Sequence, residues 1–169
     1  ATSELIRTGT TFACDMYHFP EAIVSALDEV GLRGVVCGPQ TQWPPREGGD
    51  DGSVRRELDS LLASNKPENK VNYGVATHAI YTCDEDTLLG GKELAEKHDA
   101  YLSIHISETR KEVADCFDKS GMYPVEYLDS LDYFIPERTI CAHGSWVKKS
   151  EMRTMAAENA TLVHCPSSN

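Results

Sequence analysis

Residues 101–108, YLSIHISE, decide the fold, because an apolar run there ends on a histidine and a glutamate. Three other apolar runs place a histidine at or near their ends, at His78, His143 and His164. Short apolar runs of this kind predict buried strands. In a β/α barrel the carboxyl ends of the parallel strands meet at one face, where the active site is built. The repeated histidines therefore predict one pocket assembled from residues far apart in sequence.

Strand-like and helical segments alternate along the chain. The expected strands are 10–17, 33–38, 72–79, 101–107, 138–143 and 161–165. The expected helices, in which apolar residues recur at helical spacing, are 20–30, 53–64, 84–98, 109–119, 124–131 and 149–158. Strands separated by helices predict a parallel sheet with right-handed crossovers. The predicted fold class is α/β, and specifically a partial TIM (β/α)8 barrel that carries about strands two to seven.

The length limits how much of a barrel the chain contains. It has 169 residues, whereas a complete barrel typically needs about 250. We therefore expect residues 1–169 to form a single incomplete barrel domain that lacks the first and last barrel strands. Such a sheet has two open edges, and unpaired edges tend to acquire a partner. We expect them to pair with the missing barrel segments or with another copy in a homo-oligomer.

Composition narrows the class of partner. The formal net charge is −11, which disfavours nucleic acid and anionic membrane surfaces because both attract clustered lysine and arginine. A small-molecule substrate is expected instead. No apolar stretch approaches the roughly 20 residues of a membrane span, and no secretory signal is recognisable. The six cysteines are widely spaced without a C-x-x-C pair, which favours a reducing, cytoplasmic location.

The pattern H-x-x-E, at His105 and Glu108, is the densest chemical signal. An imidazole at a strand end can bind a metal, and a nearby carboxylate can move protons to and from a metal-activated water. Taken alone the pattern is weak, because a core histidine followed by a solvated glutamate gives the same letters. His143 strengthens it, since this residue ends the next expected strand and precedes Gly144, where the backbone can turn close to a ligand.

Several motifs together resemble the amidohydrolase superfamily, along nearly the whole chain. The resemblance is to the branch of S-adenosylhomocysteine and methylthioadenosine deaminases and related chlorohydrolases. It rests on GTTFACDM at 9–16, HISET at 105–109, PVEYL at 124–128, AH at 142–143 and HCPSSN at 164–169. Each motif is common by itself, but their combination is fairly specific for this branch.

The resemblance implies a role for each residue of the H-x-x-E group and for the following histidine. His105 is expected to be a ligand of one divalent metal, with zinc ahead of iron. Glu108 is expected to carry protons between the attacking water and a ring nitrogen of the substrate. His143 is expected to orient the metal-activated water. His78, His164 and Asn169 are candidate substrate contacts.

Two further features have open interpretations. Arg55 is a candidate substrate contact, because a guanidinium can bind a ribose or a carboxylate. It is equally well explained, together with Arg56, as an exposed basic pair on a helix. The loop at 40–52 is either a cover for the site that carries Trp43 or an ordinary solvated loop.

The sequence also departs from the family pattern. The H-x-H pair of the first strand and the aspartate of the last strand have no counterpart here, so we expect the chain by itself to bind metal weakly and to be inactive. The strand at 72–79 has no lysine, whereas the binuclear members use a carboxylated lysine on the corresponding strand. The resemblance therefore implies a single metal.

These observations predict a fragment of a metal-dependent hydrolytic deaminase. Its expected substrate is an aminopurine nucleoside of the adenosine, methylthioadenosine or S-adenosylhomocysteine type. One alternative is a chlorohydrolase or another heterocycle hydrolase, such as a cytosine or guanine deaminase or a cyclic amidohydrolase. An alternative of another class is a non-catalytic barrel remnant that serves as a binding or scaffold module.

Overall fold

A single parallel sheet is the framework of the molecule. The computed structural model describes residues 2–40 and 52–169, so Trp43 and most of its loop lie outside the described residues. The sheet contains, in chain order, β1 (Phe12–Asp15), β2 (Arg33–Gln40), β3 (Val71–Ala79), β4 (Leu102–Ile106), β5 (Thr139–His143) and β6 (Thr161–Val163). Every neighbouring pair is parallel. The predicted order of consecutive parallel strands is confirmed.

Helices connect the strands as the alternating pattern predicts. They are α1 (Thr2–Arg7), α2 (Pro20–Glu29), α3 (Ser53–Leu62), α4 (Glu85–Lys97), α5 (Arg110–Ser120), α6 (Pro124–Ser130) and α7 (Lys149–Ala157). Two of them begin with a polar side chain that accepts a hydrogen bond from the first turn, Asp84 before α4 and Thr109 before α5. Within the described ranges, no helix is both long and apolar enough to cross a membrane.

The two faces of the sheet differ, and the difference decides where the histidines point. Along β4, Leu102, Ile104 and Ile106 pack into the main core between the sheet and the helices. Successive strand residues face opposite sides, so His105 lies on the other face. That inner face carries a smaller apolar cluster, formed by Val35, Cys37, Ala76, Ile140 and Met16. Imidazoles on this face project to the barrel interior, away from the helices.

Helix α4 lies close against β3 because it presents a glycine, Gly91, to the strand. A Cβ atom on Gly91 would lie 2.3 Å from Cγ2 of the fully buried Thr77 on β3. The Thr77 hydroxyl also shares a hydrogen bond with the buried Tyr133 hydroxyl, which restricts its movement. A Cβ on Gly90 would instead meet only the guanidinium end of Arg55. The helix therefore tolerates a side chain at one glycine and excludes it at the next.

This contrast gives a matched pair of stability variants. Gly91→Ala should lower the free energy of unfolding of the intact protein by roughly 1–2 kcal/mol, because overpacking against Thr77 exceeds the gain in helix propensity. Gly90→Ala should be neutral or stabilising by up to about 1 kcal/mol, since a flexible arginine end can move aside. Urea unfolding of both variants measures the difference. Equal effects of the two substitutions would contradict the close packing of α4 on Thr77.

Candidate active site

Three imidazoles meet where β3, β4 and β5 end. The ring centroids of His78 and His105 are 5.1 Å apart, and those of His105 and His143 are also 5.1 Å apart. The register explains the proximity, because His105 pairs with Ala79 on one side and with Ala142 on the other. The structure thus brings together three of the four strand-end histidines at one edge of the sheet.

His143 reaches this group through an unusual backbone conformation. Regular alternation would place its side chain on the same face as Cys141, which packs in the main core on the helix side. Instead, φ of His143 is 75° and φ of Gly144 is 60°, both in the left-handed region. Left-handed conformations are rare for a residue other than glycine and concentrate at functional sites. The strand therefore ends in a turn that directs this imidazole toward His105.

Glu108 faces the same space. Its Oε1 lies 3.6 Å from Nε2 of His143, and its side chain is about one-quarter exposed. The residue before it, Ser107, is left-handed with φ of 49°, so the chain turns sharply between the end of β4 and the start of α5. The same turn is tied to the loop after β5, because the Trp146 N–H donates to the Ser107 carbonyl at 2.9 Å.

Asn169 is in direct contact with the site. Its Oδ1 lies 2.9 Å from Nδ1 of His143. A carbonyl oxygen only accepts, so Nδ1 of His143 carries the hydrogen and donates it to Asn169. The other nitrogen, Nε2, is the one that faces Glu108. The asparagine consequently fixes the orientation of His143 and keeps a hydrogen on its Nδ1.

A threonine holds His78 in a similar way. The Thr82 hydroxyl lies 2.7 Å from Nδ1 of His78 and 3.1 Å from the Ala79 carbonyl. When the hydroxyl hydrogen is donated to Ala79, the imidazole Nδ1–H is the donor to Thr82 and Nε2 of His78 is an acceptor. The half-exposed ring of Tyr81 stands edge-on to His78, with centroids 6.0 Å apart.

The environment keeps the central imidazole neutral. Burial, together with the neighbouring His78 and His143, lowers the pKa of His105 to about 4, and Glu108 opposes this only in part. Burial also lowers the pKa of His78, again against the influence of Glu108. A neutral imidazole is the form that binds a metal.

The donor chemistry of His105 fits a divalent metal. Its Nδ1 is buried and has no hydrogen-bond partner among the residues that the structure describes, and an unpaired buried polar atom calls for a ligand or a further contact. Within residues 2–40 and 52–169, however, no three histidine, cysteine, aspartate or glutamate side chains are placed to hold one ion together.

A buried glutamate that the sequence analysis overlooked lies directly behind the site. Glu112, on α5, is 4% exposed and accepts hydrogen bonds from the N–H groups of Ser107 and Glu108, both at 2.8 Å. Burial raises the pKa of Glu112, while the N–H donors of the turn lower it. A signal existed in T-x-x-E at 109–112, which is the pattern of a helix capping box. Its carboxylate, however, also bonds residues that precede the cap.

Two further predicted site residues have no described contact with the imidazoles. His164 is exposed and follows the end of β6, which is two residues shorter than expected. Arg55 forms an ion pair with Glu93 at 3.5 Å, which places its guanidinium between α3 and α4 in the helical layer. The roles of both residues in substrate binding stay predictions.

Comparison with known proteins identifies the framework. The model of the Amidohydrolase family matches residues 1–169. The chain belongs to the amidohydrolase family. This amidohydrolase chain is 37% identical over 166 residues to the 5'-deoxyadenosine deaminase of Methanothrix thermoacetophila, covering 98% of this chain and 38% of that protein. It is also 37% identical over 169 residues to the 5-methylthioadenosine/S-adenosylhomocysteine deaminase of Thermodesulfovibrio yellowstonii. That match covers 100% of this chain and 38% of that protein. The chain thus spans about two-fifths of the length of these relatives.

Solved structures agree with this assignment. An adenosine deaminase from Xanthomonas campestris with bound zinc superposes with a TM-score of 0.88 at 26% identity, covering 98% of the amidohydrolase chain and 38% of that protein. A guanine deaminase from C. acetobutylicum superposes with a TM-score of 0.83 at 20% identity, covering 98% of this chain and 42% of that protein. It shares the fold. The prediction of a partial TIM barrel is confirmed.

The low pKa of His105 predicts how acid affects the metal-free intact protein. In the unfolded chain this imidazole takes up a proton below about pH 6.5, whereas the folded protein resists protonation until about pH 4. Stability contributed by the neutral ring is therefore complete above about pH 6.5 and decreases toward pH 4. Between pH 7 and pH 5 the free energy of unfolding of the unmodified protein should fall by about 1 kcal/mol more than that of His105→Gln. This figure already allows for the partial exposure of the imidazole. Urea unfolding at both pH values measures this.

His164→Gln serves as the control for that experiment, because it removes an exposed imidazole. It should retain the full acid sensitivity of the unmodified protein. Identical acid sensitivity in His105→Gln would show that the folded protein does not suppress protonation of His105.

Proposed function

We propose that the intact protein is a metal-dependent hydrolytic deaminase of an aminopurine nucleoside. The observation that carries the proposal is the arrangement of His105, Glu108 and His143 around one space at the edge of the parallel sheet. A proton carrier, an oriented hydrogen-bonding imidazole and a neutral ligand imidazole are among the groups such a reaction requires. The names of the 37% identical relatives, which are adenosine-type deaminases, support the substrate class.

Glu108 is the proposed proton carrier. Hydrolytic removal of an amine from a ring carbon needs one proton taken from the attacking water and one delivered to a ring nitrogen. The Glu108 carboxylate is partly exposed to the space in front of the imidazoles, so it can reach both a water and a substrate. A positioned carboxylate of this kind contributes about 10²–10⁴-fold to a rate.

His143 is proposed to orient the water. Its Nδ1–H is committed to Asn169, which leaves Nε2 to accept a hydrogen bond from a water next to Glu108. His105 is proposed to hold the metal, with zinc ahead of iron, although imidazole suits both ions. A divalent metal, when bound, lowers the pKa of a water and so supplies a nucleophile at neutral pH.

His78 is proposed to contact the substrate as an acceptor. With Nδ1–H donated to Thr82, its Nε2 can bind only a donor, such as the exocyclic amine or a ribose hydroxyl of an aminopurine nucleoside. Asn169 is proposed to act through His143.

Cytoplasmic location stays a prediction, as does pairing of the open sheet edges with other barrel segments or with a second copy. All six cysteines are free thiols.

The proposal of proton transfer by Glu108 is tested by Glu108→Gln in the intact protein. The variant should lower kcat for deamination by roughly 10²–10⁴-fold, because an amide cannot carry the protons. Metal content should be unchanged, since Glu108 is not proposed to be a ligand. Ammonia release and elemental analysis are the measurements. Glu57→Gln, the same change at an exposed position on α3, should retain turnover.

The same assay decides among the reactions. Aminopurine nucleosides, cytosine, guanine, chlorinated triazines and cyclic amides are offered to the unmodified protein, and ammonia and chloride release and ring opening are followed. Chloride release or ring opening without nucleoside deamination would replace the proposed reaction with a chlorohydrolase or cyclic amidohydrolase activity. No turnover by the metal-loaded intact protein would favour a binding or scaffold module.

The proposed role of His78 is tested by its threonine partner. Thr82→Val removes the hydroxyl that fixes the imidazole tautomer, so KM should rise roughly five- to tenfold, as expected from one lost hydrogen bond, with a smaller change in kcat. Thr82→Ser keeps the hydroxyl and should retain the original KM. Steady-state kinetics with a nucleoside substrate distinguish the two variants. An unchanged KM in Thr82→Val would remove His78 from substrate binding in this tautomer.

A further inference from the structure

We propose that Glu112 is a positioning residue for Glu108, whose buried carboxylate holds the backbone turn that directs the Glu108 side chain into the site. The inference rests on the function proposed above for Glu108. The carboxylate of Glu112 bonds the peptides of the turn, and its proposed action is only through that turn. The distinction matters because a buried glutamate near a catalytic centre is otherwise explained as part of a helix cap.

Both carboxylate oxygens of Glu112 accept hydrogen bonds from the turn. Oε1 accepts the Ser107 N–H and Oε2 accepts the Glu108 N–H, each at 2.8 Å. Both carboxylate oxygens are therefore used on consecutive peptide groups, one of which belongs to Glu108 itself. The Thr109 hydroxyl accepts the Glu112 N–H at 3.1 Å and fixes the carboxylate-bearing residue at the start of α5.

The turn needs such support because its backbone is strained. Ser107 is fully buried and left-handed, with φ of 49°, a conformation that residues other than glycine rarely adopt without help from their surroundings. Relaxation of this φ would swing the following peptide and with it the Cα–Cβ bond of Glu108. A misplacement of about 1 Å in a catalytic group can lower a rate by two orders of magnitude.

An amide cannot replace the carboxylate. Two N–H donors converge on Glu112, and an ionised carboxylate offers acceptors on both oxygens. In Glu112→Gln one oxygen becomes an NH₂ group, which places a donor opposite a backbone donor. One of the two hydrogen bonds is lost and the turn is released on that side, although the size of the side chain is preserved.

The chain supplies a matched control in Glu151 on α7. Its side chain is also fully buried and also accepts two backbone N–H groups, those of Val125 and Lys148, both at 2.9 Å. These peptides belong to the start of α6 and the residue before α7, and neither residue is proposed to be catalytic. Glu151→Gln therefore causes the same chemical disturbance without touching the Glu108 turn.

The experiment compares the two variants in the metal-loaded intact protein, below the melting temperature of both. Glu112→Gln should lower kcat at least about tenfold while KM changes less than about threefold, because the substrate contacts are intact and the proton carrier is displaced. Glu151→Gln should lose similar thermal stability but keep kcat within about twofold. Equal kcat values for the two variants would overturn the proposal and leave Glu112 a structural residue.

Hydrogen exchange of the unmodified protein provides a second measurement that does not depend on a variant folding. The Glu108 amide precedes α5, and among the described residues the hydrogen bond that protects it is the one to Glu112. Slow exchange at this amide is expected, and exchange at the rate of a free peptide would overturn the proposal. If the unmodified protein deaminates no substrate, the proposed function fails, whereas the exchange measurement still decides whether Glu112 holds the turn.

Discussion

The pairing of β4 with β5 is the constraint on which the site depends. Backbone hydrogen bonds set His105 beside Ala142 and Ile106 beside His143, and the same register places the end of β3 on the other side. A shift of one residue would turn His105 into the helix-packed core and Ile106 into the interior. The apolar residues of β4 prevent such a shift, because three of them are buried among the helices. Core packing thus fixes the position of the chemistry.

The buried glutamates in this part of the molecule are stabilised by backbone N–H groups more than by opposite charges. Glu112 and Glu151 are both buried, and each accepts two peptide N–H groups at the start of a helix. Such an acid is compatible with burial because its hydrogen bonds are made locally. The imidazoles are compatible with burial for a different reason: His105 stays uncharged through most of the physiological range. Burial of this imidazole therefore requires no charge to be desolvated.

Much of the fold was predictable from periodicity, since all six strands and the helices between them were expected from apolar spacing. Convergence of three histidines also followed from the rule that parallel strands end at one edge. The left-handed φ of His143 was not predictable, because its letters fit a regular strand end equally well. Glu112 was overlooked because a capping-box pattern says nothing about which peptide the carboxylate selects. Arg55 pairs with Glu93 across two helices, a contact that depends on how α3 and α4 pack.

Gly144 links the left-handed turn after β5 to the neighbouring strand. A Cβ atom at this position would lie 2.5 Å from Cδ1 of Leu162 on β6, so a side chain at 144 would have to displace that leucine, besides adopting the left-handed φ of 60°. We therefore expect these two positions to vary together during evolution, although they are far apart in sequence and neither carries a reacting group.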